Sequence, residues 1–150
     1  MLAALLAAAA CAATPVHAAP FPNASAGLAQ LKWVQAAPKK AGLVGMLFGY
    51  DARLVDPQRP AFALWAGGKA PEGWNTKVLW LVPIGRGDRS MVIRGRSLDG
   101  SGGSFMQSFV RAGGGGGYPS IVELPSAGCW RLDVSSGGVK GAFVVKAVAP

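Results

Sequence analysis

Residues 129–148 read CWRLDVSSGGVKGAFVVKAV, and this stretch decides the fold class. In its first part, Trp130 and Leu132 alternate with Arg131 and Asp133. Successive side chains of a β-strand point to opposite faces, so this spacing predicts a strand with one apolar and one charged face. The alternation returns in VKGAFVVKAV, after the turn-forming SSGG. The stretch therefore predicts two antiparallel strands that cover a core with one face.

Short apolar or alternating runs, separated by turns that contain Gly, Pro or Asp, extend over most of the chain. One run, Val78–Val82, is apolar at every position, which predicts a central strand covered on both faces. Several short strands at regular spacing are typical of a β-sandwich, with a barrel as the second possibility. We predict an all-β fold, a single antiparallel sandwich of about seven to eight strands. The predicted strands are Leu43–Tyr50, Ala61–Trp65, Lys77–Pro83, Ser90–Arg96, Ser104–Val110, Ser120–Leu124, Cys129–Val134 and Val139–Val148.

The chain opens with MLAALLAAAA, an uncharged apolar run that is too short to span a bilayer. A run of this length before the small-residue site Val16-His17-Ala18 is typical of a secretory signal peptide. No basic residue precedes the run, so we expect the true start to lie upstream. We predict a signal peptide at residues 1–18, a flexible leader at 19–41 and a folded domain at 42–150, in a secreted or cell-envelope protein.

A second interpretation of the N-terminus starts from Cys11. The sequence Ala8-Ala9-Ala10-Cys11 is similar to a bacterial lipobox, in which the cysteine is lipidated and becomes the mature N-terminus. A retained N-terminal anchor is the third possibility. If cleavage follows Ala18, Cys129 is the only cysteine left, which predicts a packed free thiol and no internal disulfide.

The charge balance favours anionic partners. The chain carries 15 basic and 7 acidic residues, a net charge of +8. Its composition, rich in Gly, Ala and Arg, suggests a bacterium, and in an exported bacterial protein the partners would be wall polymers or lipid headgroups. Export argues against nucleic acid, and the basic residues are spread along the chain.

The residue inventory excludes most catalytic centres. His17 is the only histidine and lies in the predicted signal peptide, which removes Ser–His–Asp triads, Cys–His pairs and zinc or copper sites built on histidine. Most carboxylates sit in turns, where they bind the local backbone, and no pattern pairs two of them across a cleft. We predict no catalytic residue, metal or cofactor. An enzyme that uses carboxylates or Cys129 is the alternative, and a structural subunit of an envelope complex is another.

The tryptophans are the candidates for ligand contact. Trp65 and Trp74 flank a polar loop at residues 66–73. An exposed Trp beside polar groups can stack on sugar rings or anchor a protein partner. We predict a non-catalytic binding module that recognises an anionic cell-wall glycan or an envelope protein. The apolar contacts would come from Trp33, Trp65 and Trp74, and the charges from Lys69, Lys77, Arg94 and Arg96.

Four stretches, Tyr118–Trp130, Gly42–Tyr50, Lys77–Trp80 and Arg94–Gly100, resemble a group of uncharacterised secreted or lipid-anchored bacterial proteins with the C-terminal motif P-S-x-G-C-W. The resemblance implies an immunoglobulin-like sandwich and no known activity. Two hallmarks of that fold have counterparts here, a Trp on an early central strand in Trp80 and a later strand with a cysteine in Cys129. The partner cysteine is absent, and Ala127 occupies the tyrosine-corner position.

Overall fold

A computed structural model of the chain describes residues 10–22, 27–100, 102–113 and 117–150. These residues form strands joined by turns and three short 3-10 helices, so the predicted all-β class is confirmed. The helices are Lys39–Ala41, Ala52–Leu54 and Ala66–Gly68. The strands are β1 (Val16–His17), β2 (Lys32–Gln35), β3 (Val44–Leu47), β4 (Ala63–Trp65), β5 (Lys77–Leu81), β6 (Ser90–Ser97), β7 (Ser104–Val110), β8 (Gly117–Ile121), β9 (Gly128–Ser136) and β10 (Val139–Val148).

The strands form two sheets. The first sheet has the order β1-β2-β3-β5-β8 and the second sheet the order β4-β10-β9-β6-β7. Neighbouring strands are antiparallel except β4, which runs parallel to β10. The central position predicted from Val78–Val82 is confirmed, because β5 lies between β3 and β8. Its outer side chains, Leu79 and Leu81, are only half-buried, so its outer face is incompletely covered.

Aromatic side chains from both sheets meet in the core. Trp80 on β5 and Phe143 on β10 are fully buried, and their ring centroids lie 5.0 Å apart. Phe62 packs edge-on against both rings. The indole N–H of Trp80 donates to Ser120 Oγ at 2.8 Å, which pairs the one polar atom of this large side chain inside the core. The apolar alternation of the strands therefore faces one shared interior.

The β9–β10 hairpin forms where the alternation and SSGG place it. Its register runs without interruption from Val139 opposite Ser136 to Ala147 opposite Gly128. Gly137 in the turn has a φ of +56°, a left-handed conformation that glycine adopts without steric cost. The pairing places Arg131 and Asp133 on the outer face of the second sheet and Leu132 in the core.

The N-terminal segment, residues 10–17, is attached to the sandwich by a disulfide in the uncleaved chain, whereas the absence of a disulfide was predicted for a chain cleaved after Ala18. Cys11 is bonded to Cys129, with the two Cα atoms 5.4 Å apart. Cys129 shares the outer face of β9 with Arg131, and the segment reaches it across β10. Thr14 then joins the edge of β10, where its N–H donates to Val144 O at 2.8 Å. Residues 1–9 of the predicted signal peptide lie outside the described residues, and its cleavage stays a prediction.

Part of the segment predicted as a flexible leader is a strand. Residues 32–35 form β2, which pairs with β3 over its whole length. Val34 in this strand is completely buried against the core. The four-residue run is too short for the sequence alone to predict a strand. The strand forms through its pairing with β3.

Candidate functional site

The predicted contact residues fall into two groups on different parts of the sandwich, with Trp33 apart from both. Arg94 and Arg96 are exposed on β6, in the second sheet. Trp65, Lys69, Trp74 and Lys77 lie at the connection between β4 and β5, and Trp33 lies on β2 against Phe21 and His17. The chain fold therefore offers two separate candidate surfaces rather than one.

At the β4–β5 connection, Trp65 is largely committed to contacts within the protein. Its side chain is 8 % exposed, and its indole N–H donates to Asp51 Oδ2 at 2.9 Å. The guanidinium carbon of Arg53 lies 5.4 Å from the ring centroid, a cation–π contact. Trp74 is 38 % exposed. Lys77 is also exposed, although it contacts the ring of Phe48. These two residues therefore keep more free surface than Trp65.

Arg53 connects two carboxylates beside Trp65. Its Nη2 lies 2.7 Å from Asp51 Oδ2, and the same nitrogen donates to Glu72 Oε2 at 3.0 Å. Asp51 also accepts the backbone N–H of Arg53, which caps the short helix at residues 52–54. We refer to Asp51, Arg53, Trp65 and Glu72 as the Arg53 cluster. It links the 51–54 turn to the β4–β5 connection and so stabilises the position of the two segments relative to each other.

The electrostatics of the Arg53 cluster do not suit acid catalysis. Side-chain hydrogen bonds from Arg53 hold the pKa of Asp51 well below its usual range, although burial opposes the shift. The same arginine lowers the pKa of Glu72. A carboxyl group that donates a proton near neutral pH needs a raised pKa, and the pKa values of both members of this pair are shifted the other way.

The second candidate surface is the outer face of the second sheet. In register, Arg94 lies opposite Asp133, and Arg96 lies opposite Arg131. The same face continues on β10, where Ala142 lies opposite Asp133 and the lysines follow by alternation. We call this surface the basic face; its cations are Arg94, Arg96, Arg131, Lys140 and Lys146.

Most of the positive charge on the basic face is unneutralised. Asp133 is the single carboxylate on these strand positions, and its Oδ1 accepts from Arg131 Nε at 3.1 Å. Within residues 10–22, 27–100, 102–113 and 117–150, neither Arg94 nor Arg96 has a carboxylate within ion-pair distance. This face therefore presents several solvated cations on one side of the sheet.

Two shallow depressions on the basic face share Arg94 and Asp133. One, of about 340 Å³, extends to Arg131 and Lys140 and is bordered by Pro38. The other, of about 540 Å³, extends along β6 and β7 to Arg96 and Met106. A third depression, of about 320 Å³, adds Lys40 and Arg86 beside Lys140. The positive surface thus continues around the end of β10.

Three cations of the basic face were absent from the predicted site. The alternation in the sequence does orient Arg131, Lys140 and Lys146 away from the core. It does not reveal that β6, β9 and β10 are neighbours, because the order of strands in a sheet is set by long-range pairing. Only this order brings the arginines of β6 beside the lysines of β10.

The described residues contain no group of three or more His, Cys, Asp or Glu side chains that could hold a metal ion. None of the helices among them has the length and apolar character needed to cross a membrane. Comparison of the chain with family models, with curated proteins and with solved structures finds no match in any of the three.

Proposed function

We propose that this protein is an extracytoplasmic, non-catalytic binding module whose basic face recognises an anionic polysaccharide of the bacterial cell envelope. The observation that carries the proposal is the set of five cations with a single carboxylate on one exposed sheet face. Electrostatic complementarity of this kind attracts a polyanion and sets its register.

The shape of the basic face favours a polymer over a small molecule. Small-molecule sites enclose most of the ligand surface, whereas the depressions here are open and shallow. Arg94 and Arg96 are two residues apart on one strand, which separates their Cα atoms by about 7 Å. Arg131 lies directly across from Arg96 on the next strand. Successive anionic groups of one polymer chain can therefore contact successive cations.

Arginine suits this role by its chemistry. Its planar guanidinium offers paired N–H donors that match a carboxylate or phosphate, and it stays charged at all physiological pH values. Met106, at the rim of the larger depression, adds an exposed apolar surface beside the cations. Together they fit a carboxylate- or phosphate-bearing sugar chain.

The strand order supports an immunoglobulin-like assignment for the sandwich. In that fold the C, F and G strands form one sheet, and the A, B and E strands lie in the other. Here β6, β9 and β10 correspond to C, F and G, with β7 in the C′ position, and β3, β5 and β8 correspond to A, B and E. In this correspondence Trp80 lies on the B strand rather than the C strand.

The Cys11–Cys129 disulfide supports an extracytoplasmic location, because such bonds persist in oxidising compartments. The predicted signal peptide is a separate argument for export, because cleavage after Ala18 would remove Cys11 and with it this bond. In the immunoglobulin-like correspondence, this bond joins the F strand to the N-terminal segment and does not replace the usual bridge between the two sheets.

The test is binding to alginate, a carboxylate polysaccharide, with neutral dextran as the uncharged reference. We expect the wild-type chain to bind alginate and not dextran. The variant Arg94→Glu/Arg96→Glu should lose about 30-fold in affinity, since two charge reversals on exposed sites remove about 2 kcal/mol. The matched control, Arg59→Glu/Lys69→Glu, makes the same charge change at exposed sites outside the basic face and should leave affinity within about twofold.

Two results would overturn the proposal. Equal losses in the two variants would show that net charge alone attracts the polymer. Tighter binding to a single-stranded oligonucleotide than to alginate of the same charge would reject the polysaccharide as the ligand.

A further inference from the structure

The four edges of the two sheets differ in how well they are protected. A strand at a sheet edge offers unpaired N–H and C=O groups, and proteins usually guard it with short length, proline or charge. Three edges follow this rule: β1 has two residues, β4 has three, and β8 contains Pro119. The fourth edge, β7, has seven residues, no charge and no proline, and its register with β6 is continuous.

The hydrogen-bond pattern identifies the groups that face the open side of β7. At its two ends, Arg111 N donates to Arg89 O and Ser97 N donates to Gly103 O, both at 2.9 Å. In an antiparallel pair such bonded positions alternate, so the odd-numbered residues of β7 bond to β6. The even-numbered ones direct their backbone groups outward: Ser104, Met106, Ser108 and Val110. Along the described chain, no other strand pairs with this side.

The strand β7 is held firmly from within. The ring of Phe105 lies over Gly95 on β6, where a Cβ atom would come within 2.0 Å of it, and packs edge-on against Trp130. The side-chain amide of Gln107 bonds to Ile121 O and accepts from Glu123 N, which connects β7 to the first sheet. The open edge is therefore held in the extended conformation that pairing with another strand requires.

We propose that a second copy of this chain pairs antiparallel along β7, about a twofold axis at Gln107, the middle residue of the strand. The proposal stands independently of the ligand of the basic face. A twofold pairing uses the same patch on both subunits and closes the edge of each. It places Met106 beside Ser108 of the copy and Phe105 beside Phe109 of the copy, and no charged side chain of β7 opposes it.

Self-pairing is favoured over a foreign strand because the patch complements itself. Under the twofold axis, each outward-facing backbone group of the four even-numbered residues meets a matching group of the copy. The arginines of β6 do not prevent it. Arg94 and its copy would lie three strand spacings apart and two residues out of line, about 16 Å, which exceeds the screening length of about 8 Å at physiological ionic strength.

The consequence is a ten-stranded sheet that spans two subunits. The basic faces of the two copies would join into one surface with twice the number of cations. A long polyanion could then contact both subunits at once, and this would raise its apparent affinity through effective concentration.

The test is sedimentation of the full chain at physiological ionic strength, over a hundredfold range of protein concentration. We expect a monomer–dimer equilibrium without larger species, because a twofold pairing uses up the edge. Ser108→Pro should abolish the dimer, since proline removes an outward N–H that β6 does not use. Ser108→Thr is the matched control and should retain the dimer, because threonine suits a strand and keeps the backbone donor.

A second variant guards against misfolding of the proline variant. Met106→Lys places a charge on the edge without altering the backbone, and it should lower the dimer fraction while the melting temperature stays unchanged. A chain that is monomeric throughout the range overturns the proposal. So does a dimer that survives both variants, or a ladder of larger species. Alginate binding by monomeric Ser108→Pro would separate this outcome from the proposed function.

Discussion

Arg53 and Arg94 are both exposed arginines, but the protein uses them in different ways. Arg53 contacts Asp51, Glu72 and the ring of Trp65, so its charge is compensated by its own neighbours. Arg94 lies on a sheet face where the one carboxylate, Asp133, is bonded to Arg131. The first arrangement stabilises a loop, and the second leaves charge available to a partner. Trp65 and its paired arginine therefore leave less free surface and charge for a partner than Arg94 does.

The strongest test of this comparison is Asp51→Ala. Asp51 is buried and accepts hydrogen bonds from Arg53 and from Trp65. Its removal leaves the buried indole N–H without a partner and should lower the free energy of unfolding by about 3 kcal/mol. Urea unfolding measures this loss, and alginate affinity of the folded variant should not change.

The control for that variant is Asp56→Ala. The Asp56 side chain is exposed and accepts one hydrogen bond, from Gln58 N. The free energy of unfolding should therefore fall much less in this variant than in Asp51→Ala. Equal losses in the two variants would show that the Arg53 cluster is no more than an ordinary turn.

Trp65→Phe is expected to have the next largest effect. The change keeps an aromatic ring but removes the N–H that donates to Asp51 at 2.9 Å. A hydrogen bond to a charged group is worth about 2 kcal/mol, so the variant should lose about that much stability. Trp74→Phe, at a more exposed tryptophan, should lose little. If Trp65→Phe instead weakens alginate binding, Trp65 belongs to the ligand site and the separation of the two regions fails.

Arg94→Ala/Arg96→Ala tests the other side of the comparison. Removal of two exposed cations should lower alginate affinity about tenfold, equal to about 1.4 kcal/mol, while stability stays constant. Isothermal titration and thermal unfolding of the same samples measure the two quantities. Arg59→Ala/Lys69→Ala is the matched control. A loss of stability without a loss of affinity would place Arg94 and Arg96 in the same structural class as Arg53.

The smallest effect is a pH dependence of stability. The folded pKa of Asp51 lies below its ordinary value of 3.8, so the unfolded chain takes up a proton first as pH falls. The stability from this group is complete well above pH 4 and declines as the pH falls from about 4 toward the folded pKa. Asp51→Asn should reduce the difference between the unfolding free energies at about pH 6 and about pH 3, compared with the wild-type chain. An unchanged difference would mean that other carboxylates dominate.

The sequence predicts the bounds of β7 and β10 correctly, as Ser104–Val110 and Val139–Val148. A pair of glycines, which is a turn signal, immediately precedes each of these strands. Predicted Ser120–Leu124 is displaced in the structure to Gly117–Ile121. Here a proline lies within the strand, so the local pattern argued against the pairing that β5 imposes.

The candidate site was less predictable than the fold. Arg94 and Arg96 are among the predicted contact residues, but Arg131, Lys140 and Lys146 lie beside them only through strand order. The Arg53 cluster was missed because Glu72 lies 19 residues from Arg53, and no local pattern connects them. Cys11 was assigned to a removable leader, so its bond to Cys129 could not be foreseen. In each case the missing information was long-range contact.

Because Cys11 and Cys129 are bonded, the state of the Cys129 sulfur depends on how the N-terminus of the chain was processed in the cell. Removal of residues 1–18 would take Cys11 away, and acylation of Cys11 would occupy the sulfur that the bond needs. Either event leaves Cys129 as a thiol, whereas the intact N-terminal segment leaves none on these two residues. A thiol count on denatured protein recovered from its native host would therefore distinguish a retained N-terminal segment from a matured one, without any determination of the first residue.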